Sequence, residues 1–165
     1  MGLKLFFGHA SISRMNKKTR GHCEIKILQL RQSPIAKYGK AAFHNQNFGH
    51  YENDTVSCLT SFGFDVETLS PSNIPKSKNP DLYMLGTFWE IKTLLTANEN
   101  TIKTHFRKAV KQAGGKAVFD LRYYEKDVAK IKQYIMDLFA STRGMRRIIL
   151  IEYAKKEVIA IDLIK

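Results

Sequence analysis

The sequence predicts a mixed α/β domain whose elements run αβββαβ and then αββ. Three observations carry that expectation. Apolar residues switch between a helical period and a period of two from residue 50 onward. Glycine and proline punctuate several of the switches, at Gly63, Pro80, Gly86 and Gly114-Gly115. With 165 residues, 44% of them apolar, and 10 Phe, 7 Tyr and one Trp, the chain can bury one core, which excludes a disordered basic tail or a histone-like arm.

The chain starts with a basic, polar stretch around Arg14, Lys17, Lys18 and Arg20, then turns apolar at Ile25, Ile27, Leu28 and Leu30, where a short helix is expected. Residues 1–48 are therefore read as a basic segment packed on, or leading into, a core domain of residues 49–165. His9, His22, His44 and His50 are spaced like no metal motif.

A helix is expected over residues 50–62, stopped by Gly63, with Tyr51, Thr55, Cys58, Leu59 and Phe62 on one face. At about 100° per residue Glu52 falls inside that mostly apolar arc, and a carboxylate there needs a partner. Residues 64–69 read as a strand. Pro71, Pro75 and Pro80 then make residues 70–80 a loop. Strands over 81–85 and 88–94 follow, joined by a tight turn at Gly86-Thr87. Side chains alternate along a strand, so Glu90 and Lys92 point to the same side and Trp89, on the opposite face, reads as core.

The next helix, residues 99–113, buries Ile102, Phe106, Ala109, Val110 and Ala113. One flank of that stripe carries His105, Lys108 and Gln112, and the other carries Lys103, Arg107 and Lys111. A buried strand over 117–123, a helix over 125–140 and strands over 147–153 and 158–164 complete the order.

The 27 Lys and Arg outnumber the 15 Asp and Glu, leaving a formal charge of +12 on a folded surface, which favours a polyanionic partner, most often nucleic acid. Two cysteines, Cys23 and Cys58, are too few for a disulfide framework or a structural zinc site. Leu3 to Phe7 is shorter than a signal-peptide core, and no apolar run approaches the roughly 20 residues of a membrane helix, so a soluble protein without a membrane-spanning segment is expected.

Four groups converge on chemistry. A hairpin closed at Gly86-Thr87 brings Asp81 and Glu90 together, Lys92 lies one pleat from Glu90, and Glu52 faces inward from the preceding helix. Clustered carboxylates repel one another, so they demand a proton or a cation, and oxygen ligands without thiolates suit a hard ion such as Mg²⁺. Phosphodiester hydrolysis uses such a set. The metal polarises the phosphoryl oxygen and activates water, while the lysine stabilises developing charge or positions that water.

Pro80-Asp81 followed by Glu90-Ile91-Lys92 resembles the PD-(D/E)XK nuclease superfamily, a restriction-endonuclease-like fold with an αβββαβ core. The likeness is nearest to the toxin domains of that superfamily at the C-termini of contact-dependent growth inhibition and related polymorphic toxins. Glu52, Pro80-Asp81, Trp89 to Lys92, Gln112 and Val118 to Leu121 meet their pattern across roughly residues 49–123. The Val-Glu-Asn-Asn junction that precedes many such toxin regions does not occur here.

The resemblance implies a metal-dependent endonuclease with Asp81, Glu90 and Glu52 as metal ligands and Lys92 and Gln112 completing the catalytic set. The metal is expected to be Mg²⁺, with Mn²⁺ or Zn²⁺ as alternatives. From the helix flanks, His105 and Lys108 would border the site, and Lys103, Arg107 and Lys111 would contact backbone phosphates or stay solvated. The implied substrate is RNA, tRNA in particular, with DNA, or non-catalytic nucleic-acid binding, as alternatives. Such a toxin would act in a bacterial cytoplasm after delivery from a secreted protein, and an acidic immunity protein would silence it in the producer.

Overall fold

Where a short helix was expected, residues 25–30 are extended, and the alternation of their side chains explains why. Ile25 and Ile27 pack on one side of the sheet and Leu30 on the other, an arrangement that a period of two provides and a helix does not. The computed structural model describes residues 25–31, 39–43, 48–71 and 78–165. The cluster Arg14 to Arg20 and the histidines His9, His22 and His44 lie outside the described residues.

In chain order the elements are β1 (Lys26–Arg31), β2 (Ala41–Phe43), α1 (His50–Ser61), β3 (Val66–Thr68), β4 (Leu82–Met84), β5 (Thr87–Thr93), α2 (Glu99–Ala113), β6 (Lys116–Asp120), α3 (Val128–Ser141), β7 (Arg147–Ala154) and β8 (Glu157–Ile164). The described strands form one sheet in the order β1-β8-β7-β6-β5-β4-β3-β2. β5, β6 and β7 run parallel at its centre, and antiparallel pairs flank them: β8 and β1 on one side, β4 and β3 on the other. From α1 onward the order of helices and strands is the expected one. The two strands contributed by residues 25–48 are additions to it. No helix among the described residues is long and apolar enough to cross a membrane.

The central strands are buried on both faces, as parallel strands are. On one face Ile102, Phe106 and Ala109 of α2 and Ile131, Ile135 and Phe139 of α3 pack against Ala117, Phe119, Ile148 and Leu150. On the other, Val56, Cys58 and Leu59 of α1 pack against Trp89, Ile91, Val118 and Ile149. Each fully buried large side chain contributes about 1.5–3 kcal/mol from the apolar area it removes from water. Trp89 belongs to this second core, and its indole N–H donates to the Met84 carbonyl at 2.8 Å.

Local chemistry fixes the boundaries. α2 starts where the Asn98 side chain accepts from the Thr101 N–H at 2.9 Å and stops at Gly114, whose φ of 60° is the left-handed cap. α3 starts later than expected because Asp127 caps it, accepting from the Lys130 N–H. The β4–β5 turn also sits one residue earlier than Gly86-Thr87. Met84 pairs with Thr87, so the loop residues are Leu85 (φ 54°) and Gly86 (φ 72°), both left-handed as a two-residue type I′ turn requires.

Candidate active site

The β4–β5 hairpin places its two acidic residues side by side. The Asp81 N–H donates to the Trp89 carbonyl at 3.1 Å, and the Leu69 N–H donates to the Asp81 carbonyl at 2.9 Å, so the backbone of Asp81 is tied to both neighbouring strands. Its carboxylate Oδ2 accepts from the Ile91 N–H at 2.9 Å. That bond turns Asp81 along β5, toward Lys92.

Glu90 and Lys92 project from β5 to the face covered by α2, because Glu90 pairs in register with Ala117 and Lys92 with Phe119, both members of that core. The Lys92 Nζ lies 2.8 Å from Glu90 Oε1 and 3.5 Å from Asp81 Oδ2, so one ammonium joins two carboxylates. Glu90 is nearly buried at 2% exposure, whereas the side chains of Lys92 and Asp81 keep 23% and 29%, and the group therefore opens to solvent on the Asp81 side. Gln112, from the last turn of α2, closes the buried side. With its amide oriented to satisfy the network, Nε2 donates to Glu90 Oε2 at 2.9 Å and Oε1 at 3.2 Å.

The electrostatics follow from that partial burial. Desolvation raises the Glu90 pKa, opposed by its hydrogen bond to Lys92, with Asp81 pushing it further up. Burial also works against the Lys92 ammonium, but the charge of Asp81 and the bond and charge of Glu90 outweigh it and raise its pKa. His105 is driven down to about 4 by burial, with Lys92 and Lys108 adding repulsion, and its Nδ1 is buried without a hydrogen-bond partner. A neutral imidazole with an unused ring nitrogen thus lies in the field of the Lys92 and Lys108 ammonium groups. Lys108 reaches the same field, since its charge acts on both Glu90 and His105. Lys103, Arg107 and Lys111 are exposed on the outer side of α2.

Asp81, Glu90, Lys92 and Gln112 thus meet as expected, with His105 and Lys108 at the border. Glu52 does not join them. α1 packs against the opposite face of the sheet, and the half-buried Glu52 folds back over its own helix start, where Oε2 would collide with a Cβ at Gly49. That position suits a carboxylate, because the helix dipole is positive there. Among the described residues no group of three or more His, Cys, Asp or Glu is arranged to hold a metal ion. The oxygen donors at the site are the carboxylates of Asp81 and Glu90.

A second polar network escaped the sequence reading. Asp120, fully buried at the end of β6, accepts from Arg122 Nη2 and from Thr55 Oγ1, both at 2.7 Å, and Thr55 in turn lies 2.9 Å from Thr93 Oγ1. Arg122 Nη2 also donates to the Asp54 carbonyl at 3.0 Å, while the Tyr123 hydroxyl donates to the Asp54 carboxylate at 2.9 Å. The network welds the start of α1 to the ends of β5 and β6. Its only sequence signal is an aspartate inside an apolar strand two residues before an arginine. Beside it, burial pushes the Cys58 thiol up to about 11, so this free cysteine stays protonated.

Fold and site define a mixed α/β domain with an acidic pair and a lysine at the end of a hairpin away from its turn, half covered by α2 and open on the Asp81 side. Residues 78–156, a span that contains Asp81, Glu90, Lys92 and Gln112, match the family model described as the contact-dependent growth inhibition CdiA C-terminal domain. The fold is similar to a chain of the CdiA-CT/CdiI toxin and immunity complex from Burkholderia pseudomallei, with a TM-score of 0.52 and 21% identity over 74% of this chain and 98% of that one. No curated protein sequence matches.

Proposed function

We propose that this chain is a toxin domain that hydrolyses phosphodiester bonds in nucleic acid, with Asp81, Glu90 and Lys92 as its catalytic group. The observation that carries the reading is the ammonium of Lys92 held between the carboxylates of Asp81 and Glu90, 3.5 and 2.8 Å away, inside the span that matches the CdiA C-terminal domain model. What sets this group apart from the other ion pairs among the described residues is that one ammonium is shared by two carboxylates and opens to solvent beside a basic helix, on a chain of +12 charge.

The donor set fits a hard divalent ion. Two carboxylates without thiolate suit Mg²⁺, which keeps several of its own waters and needs few protein ligands. Asp81 and Glu90 would hold it. Bound there, Mg²⁺ supplies Lewis-acid polarisation of a phosphoryl oxygen and a more acidic water. Lys92 places positive charge where the non-bridging oxygens gain negative charge as water adds to phosphorus and the bond to the leaving oxygen breaks. Gln112 fixes the rotamer of Glu90. Lys103, Arg107 and Lys111, with Lys108, offer phosphate contacts along α2.

RNA, and tRNA within it, is the substrate this reading favours, with DNA as the competing one; the resemblance of Pro80-Asp81 and Glu90-Ile91-Lys92 to toxin domains that include tRNases supports that preference. Such a domain would be delivered from a secreted protein, act in the cytoplasm of a bacterial target, and be neutralised in its producer by an acidic immunity protein. The test is incubation of purified protein with total RNA, plasmid and a defined oligonucleotide, each with Mg²⁺, Mn²⁺, Zn²⁺ or chelator. Cleavage of one substrate class that stops in chelator is expected. Binding that ignores chelator and produces no cleavage would leave only a nucleic-acid-binding module.

A further inference from the structure

On the sheet face that carries Asp81 and Glu90, two aromatic rings stand uncovered. Tyr83 pairs across the hairpin with Phe88, their rings meet edge to face at 5.5 Å, and they retain 39% and 49% of their exposure. Period two puts Tyr83 on the side of Asp81 in one strand and Phe88 on the side of Glu90 in the next, each one pleat, about 7 Å, from its carboxylate. α2 packs over β5 and β6, while the rings of β4 and the start of β5 remain open. Elsewhere the hairpin spends its aromatic residue on the core, since Trp89 is fully buried on the opposite face. Covering either ring would be favourable, because it removes apolar area from water.

We propose that Tyr83 and Phe88 form a stacking platform for unpaired bases of the nucleic acid that the neighbouring site cleaves, so that single-stranded segments are its preferred substrate. This rests on the nuclease reading above. The argument for a nucleic-acid occupant is charge and position together. The platform continues into a site bordered by Lys92 and Lys108, so a backbone drawn to those cations carries its bases over the rings. A phosphate at Asp81 and Glu90 and a ring one pleat away are separated by about the reach of one nucleotide. Aromatic stacking accepts every base and requires it to be unpaired.

The test uses the full chain carrying Glu90→Gln, so that nothing is cut during measurement. Fluorescence anisotropy would follow a labelled 12-nucleotide single strand, as RNA and as DNA, and a duplex of the same length. Adding Tyr83→Ala with Phe88→Ala is expected to weaken single-strand binding about 10- to 100-fold. Duplex affinity should change less than about threefold, and the salt slope should stay unchanged because no phosphate contact is lost. Tyr83→Phe, which keeps the ring and the fold, should bind within about twofold of the parent. Equal losses on single strand and duplex, or no loss on either, would overturn the platform, as would a double variant that binds nucleic acid normally but no longer binds an acidic protein. If the wild-type chain neither binds nor cuts any nucleic acid, the nuclease reading itself falls. If it cuts while the rings make no difference, only the platform does.

Discussion

In the proposed function Lys92 is the residue on which the chemistry turns, because among the described residues it is the cation in contact with both Asp81 and Glu90. Lys92→Ala is expected to lower cleavage about 10²- to 10³-fold, the usual cost of removing one preorganised charge from a transition state, and also to lower the urea midpoint, because the nearly buried Glu90 loses its ammonium partner. A wild-type rate would remove Lys92 from the site. His105 offers a different readout. Its pKa in the fold lies near 4 against an ordinary 6.5, so the unfolded chain takes up the proton first. Its contribution to stability is therefore complete above about pH 6.5 and is lost as pH falls toward 4. In urea titrations from pH 7.5 to 4, His105→Gln should show a shallower fall than wild type; parallel curves would contradict the burial of that ring. Asp81, Glu90 and Lys92 were legible in the sequence because strand alternation and a short hairpin constrain direction and distance together, whereas Gln112 entered the site only through the family resemblance. For Glu52 a helical wheel gives only the angle about its own helix axis and says nothing of which face of the sheet that helix covers.

At the scale of elements, the hairpin and α2 are what hold the site in place. Leu85 bears a left-handed φ of 54°, a conformation costing a β-carbon about 1–2 kcal/mol, which Asn tolerates better. Leu85→Asn is therefore expected to raise stability by about 1 kcal/mol, read as a higher urea midpoint with unchanged slope. A loss would mean that the exposed leucine makes contacts worth more than the strain. The turn escaped the sequence by one residue, because Gly86 marks a left-handed position without saying whether it is first or second. On α2, replacing Lys103, Arg107 and Lys111 with Gln should reduce the slope of log affinity against log salt by about two for a single strand, leaving cleavage at saturating substrate intact. An unchanged slope would place these residues outside the substrate path. The helix itself was read to its ends, since Asn98, an uninterrupted apolar stripe and Gly114 agree on them.

For the whole molecule, the sheet extends further than the boundary at residue 48 implied. β1 pairs with β8, a partner more than 120 residues away in sequence, and local periodicity carries no trace of such a pairing. The buried Asp120–Arg122 network was hidden for the same reason: its value lies in Thr55 and Thr93, which come from other elements. What the whole chain does advertise is charge. Under the proposed function, a charge of +12 would attract an acidic inhibitor through the same field that would attract a nucleic acid. Function, inhibition and site can be read together by inducing the protein in a bacterium that has no neutralising partner, then following growth and the size of extracted RNA and DNA. The expected result is growth arrest with one nucleic-acid class cut, and normal growth with intact nucleic acid when Glu90→Gln is present at the same soluble level. Arrest by both proteins alike, or arrest with RNA and DNA intact, would contradict a nuclease centred on Asp81, Glu90 and Lys92.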